Sequence, residues 1–155
     1  MNILAIDPGT RLGWALQEGR YAKPIFGLQK FEIARDESPG MRWLRFRSWL
    51  IEIEKHSGGI DVIYHERPHH RGGAATAVLE GFVSHLQSFA ADNNIEIKAV
   101  HSGTIKKFST GKGNAGKPEM IAAAQRFYPD EPPITDDNIA DALMLLALAR
   151  REIGI

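Results

Sequence analysis

Carboxylates at three separated places are the residues of this chain best suited to chemistry. Asp7 follows the apolar run "NILAI", Glu66 follows "DVIYH", and Asp141 sits inside "DDNIADALMLLALA". Asp136 and Asp137 stand at the start of a helical segment, where acids cap free N–H groups and suit the helix dipole. Asp141 lies more than a turn further in, beside Ala140, Ala142 and Leu143. At about 100° per residue it falls between Asp137 and Asn138 in angle and shares its side with Leu145 and Leu148. An unpaired charge turned inward there costs on the order of several kcal/mol. A cation shared with Asp7 and Glu66 removes that cost, and oxygen donors suit Mg²⁺ or Mn²⁺.

Each acid alone also has a structural explanation. Asp7 in "DPGT" can start a turn, Glu66 can pair with Arg67 or Arg71, and Asp137 can serve as a cap. The conjunction points to a metal: acids at two strand ends and one inside a helix.

The elements that must position these groups follow from the pattern. "NILAID", "GWALQ" and "IFGLQKFEI" read as three strands in an antiparallel meander. "SPGMRWLRFRSWLIEIEKHS" reads as a helix with Met41, Leu44, Trp49 and Ile53 at near-helical spacing, Ser38 as its cap and Gly58-Gly59 as its stop. "IDVIYHE" is a fourth strand, apolar on both faces. "GGAATAVLEGFVSHLQSFAADNN" is a long helix with Val78, Phe82, Leu86 and Phe89 on one stripe, and "IEIKAV" a fifth strand. "TGKGNAGKP" is a basic Gly-rich loop, followed by helices over 117–128 and about 136–152. Alternating helix and strand late in the chain predicts parallel additions, with strand four beside strand one. The fold class is α/β, a mixed five-stranded sheet flanked by helices. Asp7 and Glu66 would then emerge at the same sheet end, where open α/β sheets place ligands.

The bulk numbers bound the function. A chain of 155 residues is one domain by default. With no cysteine, there is no disulfide framework and no thiolate ligand or nucleophile. "MNILAIDPG" meets an acid and a proline too soon for a signal-peptide core, and no apolar run approaches the ~20 residues that span a bilayer. A cytoplasmic protein with no membrane partner is expected. The formal net charge of zero hides two acid-free basic segments. One, over 97–118, carries Lys98, Lys106, Lys107, Lys112 and Lys117. The other, over 67–79, carries Arg67, His69, His70 and Arg71. Such patches suit a nucleic-acid backbone.

"AIDPGTRLGWAL", then "VIYHER", then the late "ADAL" helix resemble, in that order, the RuvC-type Holliday junction resolvases of the ribonuclease H-like superfamily. "IKKFSTGKGNAGKPEM" is similar to that family's segment before the penultimate helix. The short length and "DDNIADAL" look most like the phage-encoded branch. The resemblance implies a ribonuclease H-like fold, a homodimer, a branched-DNA substrate and two Mg²⁺ ions, for which Mn²⁺ can substitute, on four acidic positions. Asp7, Glu66 and Asp141 match three of these. The fourth, usually Asp or His in bacterial members, is Asn138 here. Either Asp137 replaces it or Asn138 ligates through its carbonyl oxygen. Lys106 or Lys107, and Lys117, match lysines near DNA phosphate. "RPHHRGG" stands where the family carries an aromatic or apolar wedge, so His and Arg would distort the junction here.

The expected activity is hydrolytic nicking of four-way junctions by a crossover junction endodeoxyribonuclease, with Arg67, His69, His70, Arg71, Lys106, Lys107, Lys112 and Lys117 facing DNA. Other readings compete with it. A ribonuclease H-like nuclease could act on flaps, forks or RNA, and a chain with a broken site could bind junctions without cutting. An actin-like ATP-binding phosphotransferase also carries Asp-x-Gly-Thr, but it needs a duplicated domain. His65, His69 and His70 could suggest zinc, yet His65 and Glu66 point to opposite sides of their strand and no cysteine completes a set. "TGKGNAGK" lacks the spacing of a phosphate-binding P-loop, so no nucleotide cofactor is expected.

Overall fold

The apolar run Ile3–Ile6 makes β1 (Asn2–Asp7) the buried centre of a sheet. It pairs antiparallel with β2 (Arg11–Glu18), which pairs antiparallel with β3 (Ile25–Lys30). On its other side β1 runs parallel to β4 (Val62–Glu66), and β4 runs parallel to β5 (Glu96–Val100). The order is β3-β2-β1-β4-β5, the predicted mixed sheet with strand four beside strand one. The computed structural model describes residues 1–69 and 72–155, so the site candidates His70 and Arg71 lie outside the described residues.

Strand alternation divides the core in two. Ile3, Ala5, Ala15, Val62 and Tyr64 face one side, against α3 (Ser102–Thr110), α4 (Lys117–Phe127) and α5 (Asp137–Ile153). Leu4, Ile6, Leu12, Leu16 and Ile63 face the other, against α1 (Gly40–His56) and α2 (Gly73–Asp92). α5 is the central helix: every residue from Ala142 to Ala149 is buried, because sheet and neighbouring helices enclose it. Asp136 caps it, accepting the N–H groups of Asn138 at 2.8 Å and Ile139 at 3.1 Å.

Three local expectations need correction. The inward face of α1 is Phe46, Trp49 and Leu50, whereas Leu44 is 62% exposed. Gly81 decides this face. A Cβ there would lie 2.4 Å from the Trp43 ring, so its absence lets Trp43 pack on Phe82 and stack on His85. The N-cap of α1 is Pro39, and the Ser38 hydroxyl only accepts the Gly40 N–H at 3.3 Å. The third correction is α3, which sequence periodicity left unassigned. The His101 ring caps it by accepting the Gly103 N–H at 3.1 Å, and it buries Ser102 and Ile105. α2 keeps its expected stripe: Phe82, Leu86 and Phe89 are buried and Val78 partly so. Among the described residues no helix is long and apolar enough to cross a membrane.

Candidate active site

The register of the sheet brings the acids together. Ile6 is opposite His65, so Asp7 and Glu66 follow side by side at the ends of parallel neighbours. By alternation both share the face of Ala5 and Tyr64, the face that α5 covers. α5 comes close because the residues beneath it are small. Gly13, paired with Asp7, sits under its first turn. A Cβ at Gly13 would lie 2.0 Å from the Asn138 carbonyl oxygen and 2.3 Å from its carbon, which no packing tolerates. Arg11, 3.6 Å from Asp136, ties the start of the helix to β2. One turn further in, Asp141 reaches the strand ends. Carboxylate oxygens of Asp7, Glu66 and Asp141 all lie within 4.8 Å of one another.

Such proximity is costly without a cation or shared protons. The Asp7 carboxyl is held well above the usual carboxylate range, first by burial, then by the Glu66 charge and a hydrogen bond to it. Asp141 and Asp137 add smaller repulsions. Asp141 is pushed up to about 7, again first by burial and then by Glu66 and Asp137. Lys106 and Lys117 pull it back in part. A desolvated carboxylate facing two others fits a bound cation, and a donor set made only of oxygens fits a hard divalent ion. Among the described residues these three form the one converging group of potential acidic, His or Cys ligands.

No family model matches the chain. It is 26% identical over 148 residues to the crossover junction endodeoxyribonuclease RuvC of Chlamydia muridarum, covering 92% of this chain and 87% of that one. The structure of Thermus thermophilus RuvC superposes with a TM-score of 0.77 at 19% identity, over 99% of this chain and 97% of that one. Thermus thermophilus RuvC in complex with Holliday junction substrate gives 0.79 at 19% identity, over 98% and 96%. The chain has the RuvC fold.

The remaining predicted site residues fall around these three carboxylates at different distances. Asp137 is partly buried, its charge is felt by both Asp7 and Asp141, and Lys117 Nζ lies 3.7 Å from it. Asn138 lines a groove between the β1–β2 turn and α2. Lys106 and Lys107 part company: the charge of Lys106 acts on Asp141, while Lys107 lines a separate cleft with His101 and Arg151. Lys112 is exposed in the Gly-rich loop. Arg67 and His69, both exposed, line a recess of about 110 Å³ that also contains Asp7 and Glu66. His65 is buried on the α1–α2 side, and its Nδ1 lies 2.9 Å from the Glu66 carbonyl oxygen. It therefore cannot join His69 in a zinc site.

Two residues escaped sequence reasoning. Gly13 carried a signal, since glycine inside a strand often marks close backbone approach. Ser102 carried none. It is buried, and its Oγ lies 2.6 Å from His69 Nε2, tying the segment after Glu66 to α3.

Proposed function

We propose that this chain is a Holliday junction resolvase, a divalent-metal-dependent endodeoxyribonuclease that cuts four-way DNA junctions by paired hydrolytic nicks. The observation that carries the reading is the convergence of Asp7, Glu66 and Asp141 oxygens within 4.8 Å at one end of a RuvC-fold sheet. The name of the Chlamydia muridarum relative, a crossover junction endodeoxyribonuclease, supports it, as does the Holliday junction substrate in the Thermus thermophilus complex.

Asp7, Glu66 and Asp141 would hold Mg²⁺, with Mn²⁺ as a substitute, and Asp137 is the fourth acid that lets the site take two ions. Such ions supply Lewis acidity at the scissile phosphate and acidify an attacking water. The chain's own residues do the rest. Glu66 and Asp7 would fix the position of the ions, and the reacting phosphate with them, from the ends of sheet strands rather than from a loop. Lys106 and Lys117 sit close enough to act on the charge of Asp141 and would meet the phosphate there. Lys107, Lys112, Arg67 and His69 would hold the arms. With water as the nucleophile no covalent enzyme intermediate is needed.

A homodimer would place two such sites on opposite strands, and the exposed Ala74, Ala75 and Ala77 at the start of α2 offer a small-residue face for it. The "DDNIADAL" form supports the phage-encoded branch, with action in the cytoplasm. Cleavage mapping on a four-way junction, each strand labelled in turn with Mg²⁺ present, tests the reading. Nicks at symmetric positions on opposing strands are expected. Scattered single nicks, or faster cutting of a flap or single-stranded RNA, would overturn it.

A further inference from the structure

Ser102 is one of three buried polar residues among those described, and the chemistry above makes no use of it. It stands in the first turn of α3, and Lys106 follows one turn later on the same face. Among the described residues the one hydrogen-bond partner of its hydroxyl is His69 Nε2, at 2.6 Å. A buried hydroxyl proton without an acceptor is costly, so Ser102 donates to Nε2. That choice leaves the imidazole proton on Nδ1. The His101 ring meets the same imidazole edge to face, with centroids 5.7 Å apart. His101 is itself fixed as the cap of α3. An exposed loop residue, three positions after Glu66, is thus held by a helix and by its cap. What it is held against is the recess of about 110 Å³ that it shares with Asp7 and Glu66. That is well below the roughly 300–1,000 Å³ of small-molecule pockets, so a group of a few atoms fits it and a base does not. Besides the two acids, the recess is lined by two side chains that donate hydrogen bonds, Arg67 and His69. Once a cation satisfies the acids, those donors suit a phosphate oxygen.

We propose that His69 is a catalytic residue whose Nδ1–H holds a phosphate oxygen of the strand being cut, beside the scissile bond, and that Ser102 positions it. The proposal rests on the resolvase reading above and gives that site one more phosphate contact. It also takes His69 out of the role of a wedge, because the ring cannot enter a base stack without leaving Ser102.

His69 is exposed, so changing it leaves the core intact. The test is single-turnover cleavage of a four-way junction with Mg²⁺ and enzyme in excess. His69→Phe keeps an aromatic ring and removes the donor. It should cut about ten- to hundredfold more slowly, the span of one hydrogen bond to a charged group. His69→Asn keeps a donor near the place of Nδ1 and loses only the Ser102 tie. Its rate should fall about two- to tenfold, and so should that of Ser102→Ala. The double variant His69→Phe with Ser102→Ala should be no slower than His69→Phe alone, because Ser102 acts through the donor. Gel-shift affinity without Mg²⁺, when no phosphate is seated at the acids, should stay close to that of the unaltered chain for every variant. A His69→Phe chain as fast as the unaltered one would make the ring a wedge and overturn the proposal. A double variant slower by the full Ser102→Ala factor would make Ser102 a structural part of α3 and overturn its positioning role. A second measurement locates the contact. Neutral methylphosphonates replace the phosphates on either side of the cut, one at a time. At one position the unaltered chain should slow about ten- to hundredfold while His69→Phe slows no further. Equal slowing of both chains at every position overturns the proposal and leaves the resolvase reading standing. Failure of the unaltered chain to cut any junction counts against the resolvase reading itself, and the proposal falls with it.

Discussion

At the scale of single residues, the three converging acids set the behaviour of the chain toward protons and metals. The folded chain holds protons on Asp7 and Asp141 more tightly than an unfolded chain does. A carboxyl raised in this way favours the folded state most at low pH. The benefit is complete below about 4, the ordinary aspartate value, and is lost as pH rises through about 7, the value for Asp141. Metal-free protein should therefore lose thermal stability between pH 5 and 8, and Mg²⁺ should restore more of it at pH 8 than at pH 5. Melting curves with and without EDTA measure both. Asp7→Asn removes one of the crowded charges. It should raise the metal-free Tm at pH 7.5 by about 1 kcal/mol of stability, or 2–4 °C, while abolishing the Mg²⁺ shift and junction cleavage. Junction binding by gel shift should survive. Cleavage by this variant at a rate near that of the unaltered chain would remove Asp7 from the site.

At the scale of elements, the decisive contact is backbone on backbone, where α5 sits on β2 at Gly13. Gly13→Ala must push the start of α5 away from the sheet. Because the clash is with backbone, a cost of at least about 3 kcal/mol, the upper end for overpacking, is expected, together with loss of the Mg²⁺ thermal shift, because Asp141 moves with its helix. A matched change at Gly19, where an added Cβ meets nothing, should leave the Mg²⁺ shift intact and controls for general strain. This contact also marks how far the sequence could be read. The strands were legible because each is a short apolar run between turns, and the placement of Asp7 and Glu66 at one end of the sheet followed from them. The inward position of Asp141 was legible from its apolar neighbours. The face of α1 was not, since Met41, Trp43, Leu44, Phe46, Trp49, Leu50 and Ile51 surround it almost completely. The hole at Gly81, far along the chain, chooses among them. α3 was hidden because "SGTIKKFST" is short and polar with only two buried residues, and its stability comes from the His101 cap and its neighbours. The sequence does not choose between Asp137 and Asn138, because both flank Asp141 in angle, and which space each one meets depends on β2 and α2.

At the scale of the whole molecule, a chain with no net charge would bind the proposed polyanion by distribution of charge. Lys106 and Lys117 lie within electrostatic reach of the acids, so removing both should do more than weaken binding. The double change to Ala should reduce the slope of log affinity against log salt by about 2, measurable by fluorescence anisotropy on a labelled junction. An unchanged slope would take these lysines off the phosphates. The burial of α5 has a further consequence, for motion. Asp141 belongs to a helix whose residues from Ala142 to Ala149 are all buried between the sheet and its neighbours. Such a segment opens only when the whole domain opens. Amide hydrogens of α5 and β1 should therefore exchange with solvent last, at the rate of global unfolding, while those of the Gly-rich loop exchange first. Asp7 and Asp141 then ride on the most slowly exchanging part of the chain, and adjustment to a substrate would have to come from the basic segments around them.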